Sequence, residues 1–205
     1  ETITVAIKTN TERKLLASQF EKGHIPTQLI LAGPDDAHKA EIEDTLIKMI
    51  MNAKKSVYIQ TPYFTPDEGF LNALKLASYS GVDVRIMIPH EWDKFYMKAA
   101  SYDYAREVLE KDVKILLYPG FIHAKTITVD GKICSVGTTN IDNRSFNLHF
   151  EQNVIFYDSK ISREHENIFF EDEKKSIKAD KAYFSAKPVT VRAWWSFCRL
   201  FSPFM

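Results

Sequence analysis

Hydrophobic residues recur along this chain with two alternating periods, and that alternation restricts the fold more than any other feature. Runs with a period of two are typical of strands, and runs with a period of about 3.6 are typical of helices. We predict strands at residues 3–8, 27–32, 56–60, 82–88, 113–118, 125–129, 133–136 and 151–157. We predict helices at residues 11–20, 40–53, 67–79, 94–111 and 159–177. This order predicts a layered α/β domain. The Asp130-Gly131 hairpin signal predicts that its sheet is mixed.

The size and composition are those of one globular domain. The chain has 205 residues, of which 45% are hydrophobic and 26% charged, and this excludes wholesale disorder. No apolar run approaches the length of a membrane-spanning helix. The two cysteines, Cys134 and Cys198, give no disulfide framework, which favours a reducing compartment. Because the chain begins with Glu1 and shows no signal-peptide pattern, we expect a fragment of a longer protein.

The net charge of zero hides an asymmetry between the body of the chain and its C-terminal tail. Residues 174–205 contain seven basic residues and one acid, so the tail carries +6 and the rest of the chain −6. A negative body is unfavourable for nucleic-acid binding, which depends on Lys and Arg to neutralise phosphates. We therefore expect no nucleic-acid partner. A basic tail indicates an anionic surface instead.

One of the six histidines is followed two residues later by a lysine. Residues two apart on a strand point to the same face, so His123 and Lys125 are predicted to project their nitrogens side by side. An imidazole can attack phosphorus or move a proton near neutral pH, and a neighbouring lysine supplies positive charge for phosphoryl oxygens. Asp130 opens the following turn, where its carboxylate can accept hydrogen bonds from backbone amides or a basic neighbour; we include it among the candidate catalytic residues.

Two downstream segments complete this candidate site. Residues 137–145 follow a strand and are rich in hydrogen-bonding side chains, including Asn140 and Ser145, so we predict an oxyanion-binding loop. Glu151 opens the next strand and could accept a hydrogen bond from His123, leaving its other nitrogen free. Pairing His123 with His149 as metal ligands is the weaker alternative, because no cysteine or carboxylate spacing completes a metal site.

These motifs resemble the phospholipase D superfamily, whose signature is His-x-Lys, four residues, Asp, and then Gly-x-x-Asn. Both parts are present, as His123, Lys125, Asp130, Gly137 and Asn140. Within that superfamily the chain is most similar to the C-terminal half of bacterial cardiolipin synthases. The segments that carry this closer similarity are residues 58–64, 80–89, 120–125, 140–146 and 200–203.

The resemblance implies a phosphatidyltransferase that needs no metal or other cofactor. Two molecules of phosphatidylglycerol would give cardiolipin and glycerol through a phosphohistidine. His123 would be one of two catalytic histidines, acting as general acid and base. Lys125 and Asn140 would bind phosphate, and Glu151 would orient His123.

Such enzymes use two of these motifs, and this chain has one. The partner is therefore expected to be a second phospholipase D-like half of the same full-length chain, or a second copy of this chain. The alternatives are a homodimeric single-motif phosphodiesterase or endonuclease, a phospholipase D hydrolase, and a lone half that only binds anionic lipid.

The sequence divides into three parts. Residues 1–26 are unassigned, residues 27–180 form the phospholipase D-like half-domain, and residues 181–205 form an amphipathic tail. If residues 191–201 are helical, Val191, Trp194, Trp195, Cys198 and Phe201 share one face, and Arg192, Ser196 and Arg199 share another. This pattern favours a segment in the interface of a bacterial cell membrane. A helix docked on the domain through its tryptophans is the alternative. The segment 61–66 is equally consistent with a binding loop and a packed turn.

Overall fold

The structure is a computed structural model that describes residues 23–34 and 41–204. The strand predicted at residues 3–8 and the helix predicted at residues 11–20 lie outside the described residues. The strands are β1 (Thr27–Ala32), β2 (Ser56–Gln60), β3 (Phe64–Thr65), β4 (Asp83–Pro89), β5 (Lys114–Tyr118), β6 (Thr126–Val129), β7 (Ile133–Gly137), β8 (Ile141–Asp142), β9 (Glu151–Phe156) and β10 (Ile177–Ala179). The helices are α1 (Glu41–Asn52), α2 (Glu68–Tyr79), α3 (Phe95–Leu109), α4 (Asn143–Asn147), α5 (Ser159–Lys175), α6 (Lys181–Ser185) and α7 (Val189–Arg199).

Eight of these strands form one mixed sheet, in the order β1-β9-β7-β6-β2-β4-β5-β10. β2, β4 and β5 are parallel to one another, and every other pairing in this sheet is antiparallel. β3 and β8 form a separate parallel pair. The sheet confirms the predicted layered α/β class, and its antiparallel strands confirm that it is mixed.

Helices cover both faces of the sheet. On one face, Val57, Ile86 and Ile127 belong to a large core that also contains most of the buried apolar residues of α1, α2 and α3. On the other face, Tyr58 packs with Phe169 of α5 in a smaller core, their ring centroids 5.0 Å apart. Successive residues of β2 therefore face opposite layers, as the two-residue period of a strand requires.

The hairpin between β6 and β7 confirms the turn predicted at Asp130-Gly131. The φ angles of Asp130 and Gly131 are +56° and +61°, the positive pair that a type I′ turn needs. The Lys132 N–H donates to the carbonyl oxygen of Val129 at 3.0 Å and closes the turn.

α7 of the C-terminal tail is docked on the domain, in agreement with the docked alternative, and residues of both predicted faces contact the domain. Trp195 and Cys198 of α7 are buried against the core. Ser196 Oγ and Arg199 Nη1 donate to Asp103 of α3, and Arg199 Nη2 donates to Glu107 at 2.5 Å. Hydrogen bonds and ion pairs thus hold Ser196 and Arg199, two residues of the predicted polar face, against α3. Trp194, in contrast, remains 44% exposed.

Within residues 23–34 and 41–204, no helix combines the length and the apolar character needed to cross a membrane.

Gly137 allows β7 and β9 to approach closely at the edge where the candidate site lies. It pairs with Asn153 of β9. A Cβ atom at Gly137 would overlap both the side-chain oxygen of Asn153 and the carbonyl oxygen of Gln152. Asn153 cannot turn aside freely, because its amide also bonds Ser135 Oγ at 2.9 Å and Thr139 Oγ1 at 2.8 Å.

We predict that Gly137→Ala destabilises the chain by about 1–3 kcal/mol, the usual cost of inserting a methyl group into close packing. Urea unfolding followed by circular dichroism measures the change. Gly23→Ala is the control, because a Cβ there meets no atom within 4 Å. Equal stability of the two variants would contradict the prediction.

Candidate active site

The candidate site lies at the carboxyl ends of the parallel strands β2, β4 and β5. Loops that follow these strands meet there, and loops of open α/β sheets commonly bind ligands at this edge. β6 runs antiparallel to β2, so the segment before β6 reaches the same edge. The end of β7 and the start of β9 also lie there, because Gly137 pairs with Asn153.

His123 and Lys125 lie together at this edge, in an extended segment just before β6. The predicted strand began at Lys125, whereas β6 begins at Thr126, so neither residue belongs to a strand. His123 is exposed, and its ring centroid is 5.5 Å from that of Phe121. Lys125 Nζ donates to the carbonyl oxygen of His123 at 3.0 Å. The backbone of His123 therefore holds the Lys125 ammonium group beside the histidine.

The charges around the pair act on both pKa values. Burial lowers the pKa of His123 below 6.5 and the Lys125 ammonium lowers it further, while the carboxylate of Asp93 opposes them. Burial lowers the pKa of Lys125 below 10.5, and the charges of Glu151 and Asp142 oppose it. A lowered pKa favours the neutral imidazole of His123, the form that can accept a proton, and makes the protonated form a stronger acid.

Sequence reasoning missed Asp93, which lies in the loop after β4. Tyr63 Oη donates to Asp93 Oδ2 at 2.6 Å, so the carboxylate that acts on His123 is fixed from the loop after β2. Tyr63 is itself buried and stacks on Trp92, with ring centroids 6.3 Å apart. Segment 61–66 is therefore packed, and one of its side chains also anchors a charge at the site. No motif marks Asp93 in the sequence, because only the fold brings it near His123.

The loop from Gly137 to Asn140 is fixed to β9. Thr138 N–H donates to the carbonyl oxygen of Gln152 at 2.9 Å, and Thr139 Oγ1 donates to Asn153 Oδ1 at 2.8 Å. Asn140 follows these anchors, and its buried Oδ1 accepts no hydrogen bond from the described residues.

Ser145 does not lie open to a substrate in this structure. It is 1% exposed, and its N–H donates to Asp142 Oδ1 at 2.7 Å, an N-cap contact at the start of α4. Burial raises the pKa of the Asp142 carboxyl, and the Ser145 amide opposes that rise. Ser145 thus contributes its backbone to the local structure.

Glu151 lies at the edge, yet its hydrogen bonds go elsewhere than to His123. Its carboxylate accepts a hydrogen bond from Thr138 Oγ1 and lies 3.7 Å from His149 Nδ1. The negative charge of Glu151 acts on Lys125, where it opposes the lowering of the pKa by burial. In the described ranges, no group of three or more His, Cys, Asp or Glu side chains has the arrangement of a metal site.

Asp130 is at the opposite end of β6 from His123. Its carboxylate accepts hydrogen bonds from the N–H groups of Lys54, Lys55 and Ser56 at 2.7–3.2 Å. Burial would raise the pKa of Asp130, but these three donors outweigh it and hold the pKa below 3.8. The structure therefore does not bring Asp130 together with the other candidate site residues.

Comparisons with known proteins point to one family. The sequence profile of the family described as "Cardiolipin synthase, PLD-like domain" matches residues 46–173. A cardiolipin synthase from Listeria welshimeri is 43% identical over 185 residues, which cover 90% of this chain and 38% of that relative. The chain thus spans 38% of the length of this curated relative. These matches confirm the resemblance noted in the sequence.

Solved structures with the same fold are more distant in sequence. Phosphatidylserine synthase from Haemophilus influenzae has a TM-score of 0.70 at 15% identity, covering 88% of this chain and 48% of that chain. A phospholipase D family member, Nuc from Salmonella typhimurium, has a TM-score of 0.64 at 17% identity, covering 76% of this chain and 100% of that chain. At these identities the likeness supports the fold alone.

We predict that Asp130→Asn destabilises the chain by about 1–2 kcal/mol at pH 7, because a charged acceptor of three amides becomes neutral. Since the folded pKa of Asp130 is depressed, its contribution is present above pH 3.8 and is lost as pH falls through the folded value. Urea unfolding of both proteins should show a difference that shrinks in acid. Asp112→Asn is the control, since φ at Asp112 is also positive, at +62°. A difference independent of pH would contradict the role of the charge.

We also predict opposite effects of two neighbours on the titration of His123. Asp93→Asn removes a negative charge and should lower the pKa of His123, whereas Lys125→Gln removes a positive charge and should raise it. Proton NMR of the imidazole, assigned by its loss in His123→Ala, measures both shifts. Shifts of the same sign in the two variants would refute this electrostatic account.

Proposed function

The chain belongs to the cardiolipin synthase family of phospholipase D-like domains, and from that premise we propose that it supplies one catalytic histidine for phosphatidyl transfer. The observation that carries the proposal is the pair His123 and Lys125 at the carboxyl ends of the parallel strands. The His123 ring is exposed, and the Lys125 ammonium donates a hydrogen bond to the carbonyl oxygen of His123. Since the chain spans 38% of the relative's length, the activity is proposed for the full-length protein.

The proposed reaction joins two molecules of phosphatidylglycerol in two displacements. The histidine of the second half attacks the phosphorus of the first molecule, so that a P–N bond forms and the bond to glycerol oxygen breaks. Protonated His123 gives its proton to that oxygen, and glycerol leaves. His123 then takes a proton from a hydroxyl of the second phosphatidylglycerol, whose oxygen attacks phosphorus, breaks the P–N bond and yields cardiolipin.

Lys125 and Asn140 are proposed to hold the non-bridging phosphate oxygens. Burial lowers the pKa of Lys125, but Glu151 and Asp142 oppose the loss of its charge, which favours an ammonium group where phosphoryl charge develops. Asn140 follows a loop whose backbone and hydroxyls are anchored to β9, so its amide is held in place as a donor. Since Glu151 bonds Thr138, we propose that it acts on the site through Lys125.

Two further roles differ from the sequence expectation. We propose that Asp130 fixes the register of β6 against β2, because its carboxylate bonds three amides at the far end of that strand. Ser145, being buried, is proposed to support α4 rather than to bind substrate.

The partners follow from the proposed reaction. They are anionic phospholipid, specifically phosphatidylglycerol, and a second phospholipase D-like half, from the same chain or from a second copy. The place of action is proposed to be the surface of a bacterial cell membrane. The charge of −6 on the body disfavours a homodimeric endonuclease, since a polyphosphate requires a basic groove.

We predict that His123→Ala in the full-length protein lowers cardiolipin formation by about 10²- to 10⁴-fold, the usual contribution of general acid–base catalysis. The assay supplies phosphatidylglycerol vesicles and measures cardiolipin and glycerol by mass spectrometry. His24→Ala, at another exposed histidine, is the control. Unchanged cardiolipin in the His123 variant would contradict the proposal. Phosphatidic acid as the sole product would indicate a hydrolase, and cleavage of single-stranded DNA would indicate the endonuclease.

A further inference from the structure

Four exposed aromatic side chains form a row on the outer side of α7. Phe95 of α3 stacks on Trp194, with ring centroids 6.3 Å apart and an interplanar angle of 15°. Trp194 stacks on Phe197 at 5.6 Å, and Phe197 meets Phe201 edge-on at 5.3 Å. These residues, Phe95, Trp194, Phe197 and Phe201, are called the aromatic row; their exposures are 72%, 44%, 50% and 48%. A contiguous apolar patch of this kind marks an interaction surface.

The row is presented by a helix that is firmly held on its other side. Trp195 is 6% exposed, and its ring meets that of Tyr102 edge-on at 5.4 Å. The Arg199 guanidinium lies 4.0 Å from the ring centroid of Tyr104 and bonds Glu107 at 2.5 Å. The exposure of the row therefore belongs to a docked helix rather than to a frayed chain end.

Cations accompany the row without acidic partners. Of the seven basic residues in the tail, Lys174, Lys175, Lys178 and Arg199 pair with acids within 4 Å. Lys187, just before α7, and Lys94, just before Phe95, make no ion pair with a described residue. Aromatic rings between unpaired cations are typical of segments that lie in the interface of an anionic bilayer.

Both ends of the row are joined to segments at the border of the candidate site. Phe95 follows Asp93, whose charge acts on His123, by two residues. Beyond Phe201, the carbonyl oxygen of Pro203 accepts a hydrogen bond from Asn143 Nδ2 at 2.7 Å, in the segment that follows Asn140. The surface and the site therefore have fixed positions relative to each other.

We propose that the aromatic row and the cations Lys94 and Lys187 contact the interface of a bilayer rich in anionic phospholipid. The choice of a lipid surface as occupant rests on the proposed function, and the unpaired cations beside tryptophan and phenylalanine favour it over a protein partner. Trp194 and Phe197 enter the headgroup region, while Trp195 and Cys198 remain in the protein. Docking in this way places the site edge beside the lipid headgroups.

Vesicle flotation of the 205-residue chain tests this surface. The chain should bind phosphatidylglycerol vesicles more tightly than phosphatidylcholine vesicles. Trp194→Ala with Phe197→Ala should weaken binding to phosphatidylglycerol vesicles by about tenfold or more, because two exposed rings lose their contact with lipid. Leu76→Ala with Tyr79→Ala, at exposed positions of α2, is the matched control and should bind like the parent.

Two further measurements separate lipid insertion from pairing between copies of the chain. Phosphatidylglycerol with brominated acyl chains should quench the fluorescence of the parent chain, and Trp194→Phe should lose most of that quenching. Lys94→Gln with Lys187→Gln should reduce the preference for anionic over neutral vesicles. Unchanged binding or quenching in these variants overturns the proposal. A dimer of the parent chain that is lost in the Trp194/Phe197 variant also overturns it, because the row would then join two copies.

Vesicle binding through the aromatic row is expected to be independent of catalysis. His123→Ala should bind vesicles like the parent chain, because His123 is outside the row. If His123→Ala loses cardiolipin synthesis but keeps vesicle binding, the loss concerns the reaction and not the lipid surface. Failure of vesicle binding in the parent, with synthesis retained by the full-length protein, overturns the lipid surface alone.

Discussion

The carboxylate of Asp130 bonds the amides of Lys54, Lys55 and Ser56, and this contact ties the start of β2 to the end of β6. With that register, the opposite end of β6 lies beside Gln60, where β2 ends. His123 and Lys125 precede β6, so they reach the edge at which the parallel strands finish. The contact thus contributes to the site from the far side of the sheet, through the geometry of one short strand.

Much of this framework could be predicted because it is encoded locally. β2 at Ser56–Gln60 and β1 at Thr27–Ala32 have the predicted bounds, since turns or polar residues delimit each apolar run. The Asp130-Gly131 turn was also predicted, because few residues accept two successive positive φ angles. Five short elements were not predicted, because they have two to five residues each and carry no periodicity. These elements are β3, β8, β10, α4 and α6. Their existence depends on tertiary contacts, as in the pairing of Phe64 with Ile141.

The candidate site divides in the same way. The motif predicted that His123 and Lys125 lie together, but not that the lysine bonds the histidine's carbonyl. Asp93 escaped sequence reasoning because its action on His123 depends on contacts between distant loops, including the hydrogen bond from Glu91 N–H to the carbonyl oxygen of Gly120. Ser145 has a side chain suited to binding phosphate, yet the start of α4 places it in the interior. The chemistry of a side chain does not by itself predict whether the folded chain buries it.

The hydrogen bond from Asn143 to the carbonyl of Pro203 has a practical consequence for work with this protein. The last turn that the structure describes, Ser202–Phe204, is therefore bonded to the start of α4, the segment that follows Asn140. A truncation that removes this turn would therefore take away a hydrogen-bond acceptor of Asn143 at the start of α4.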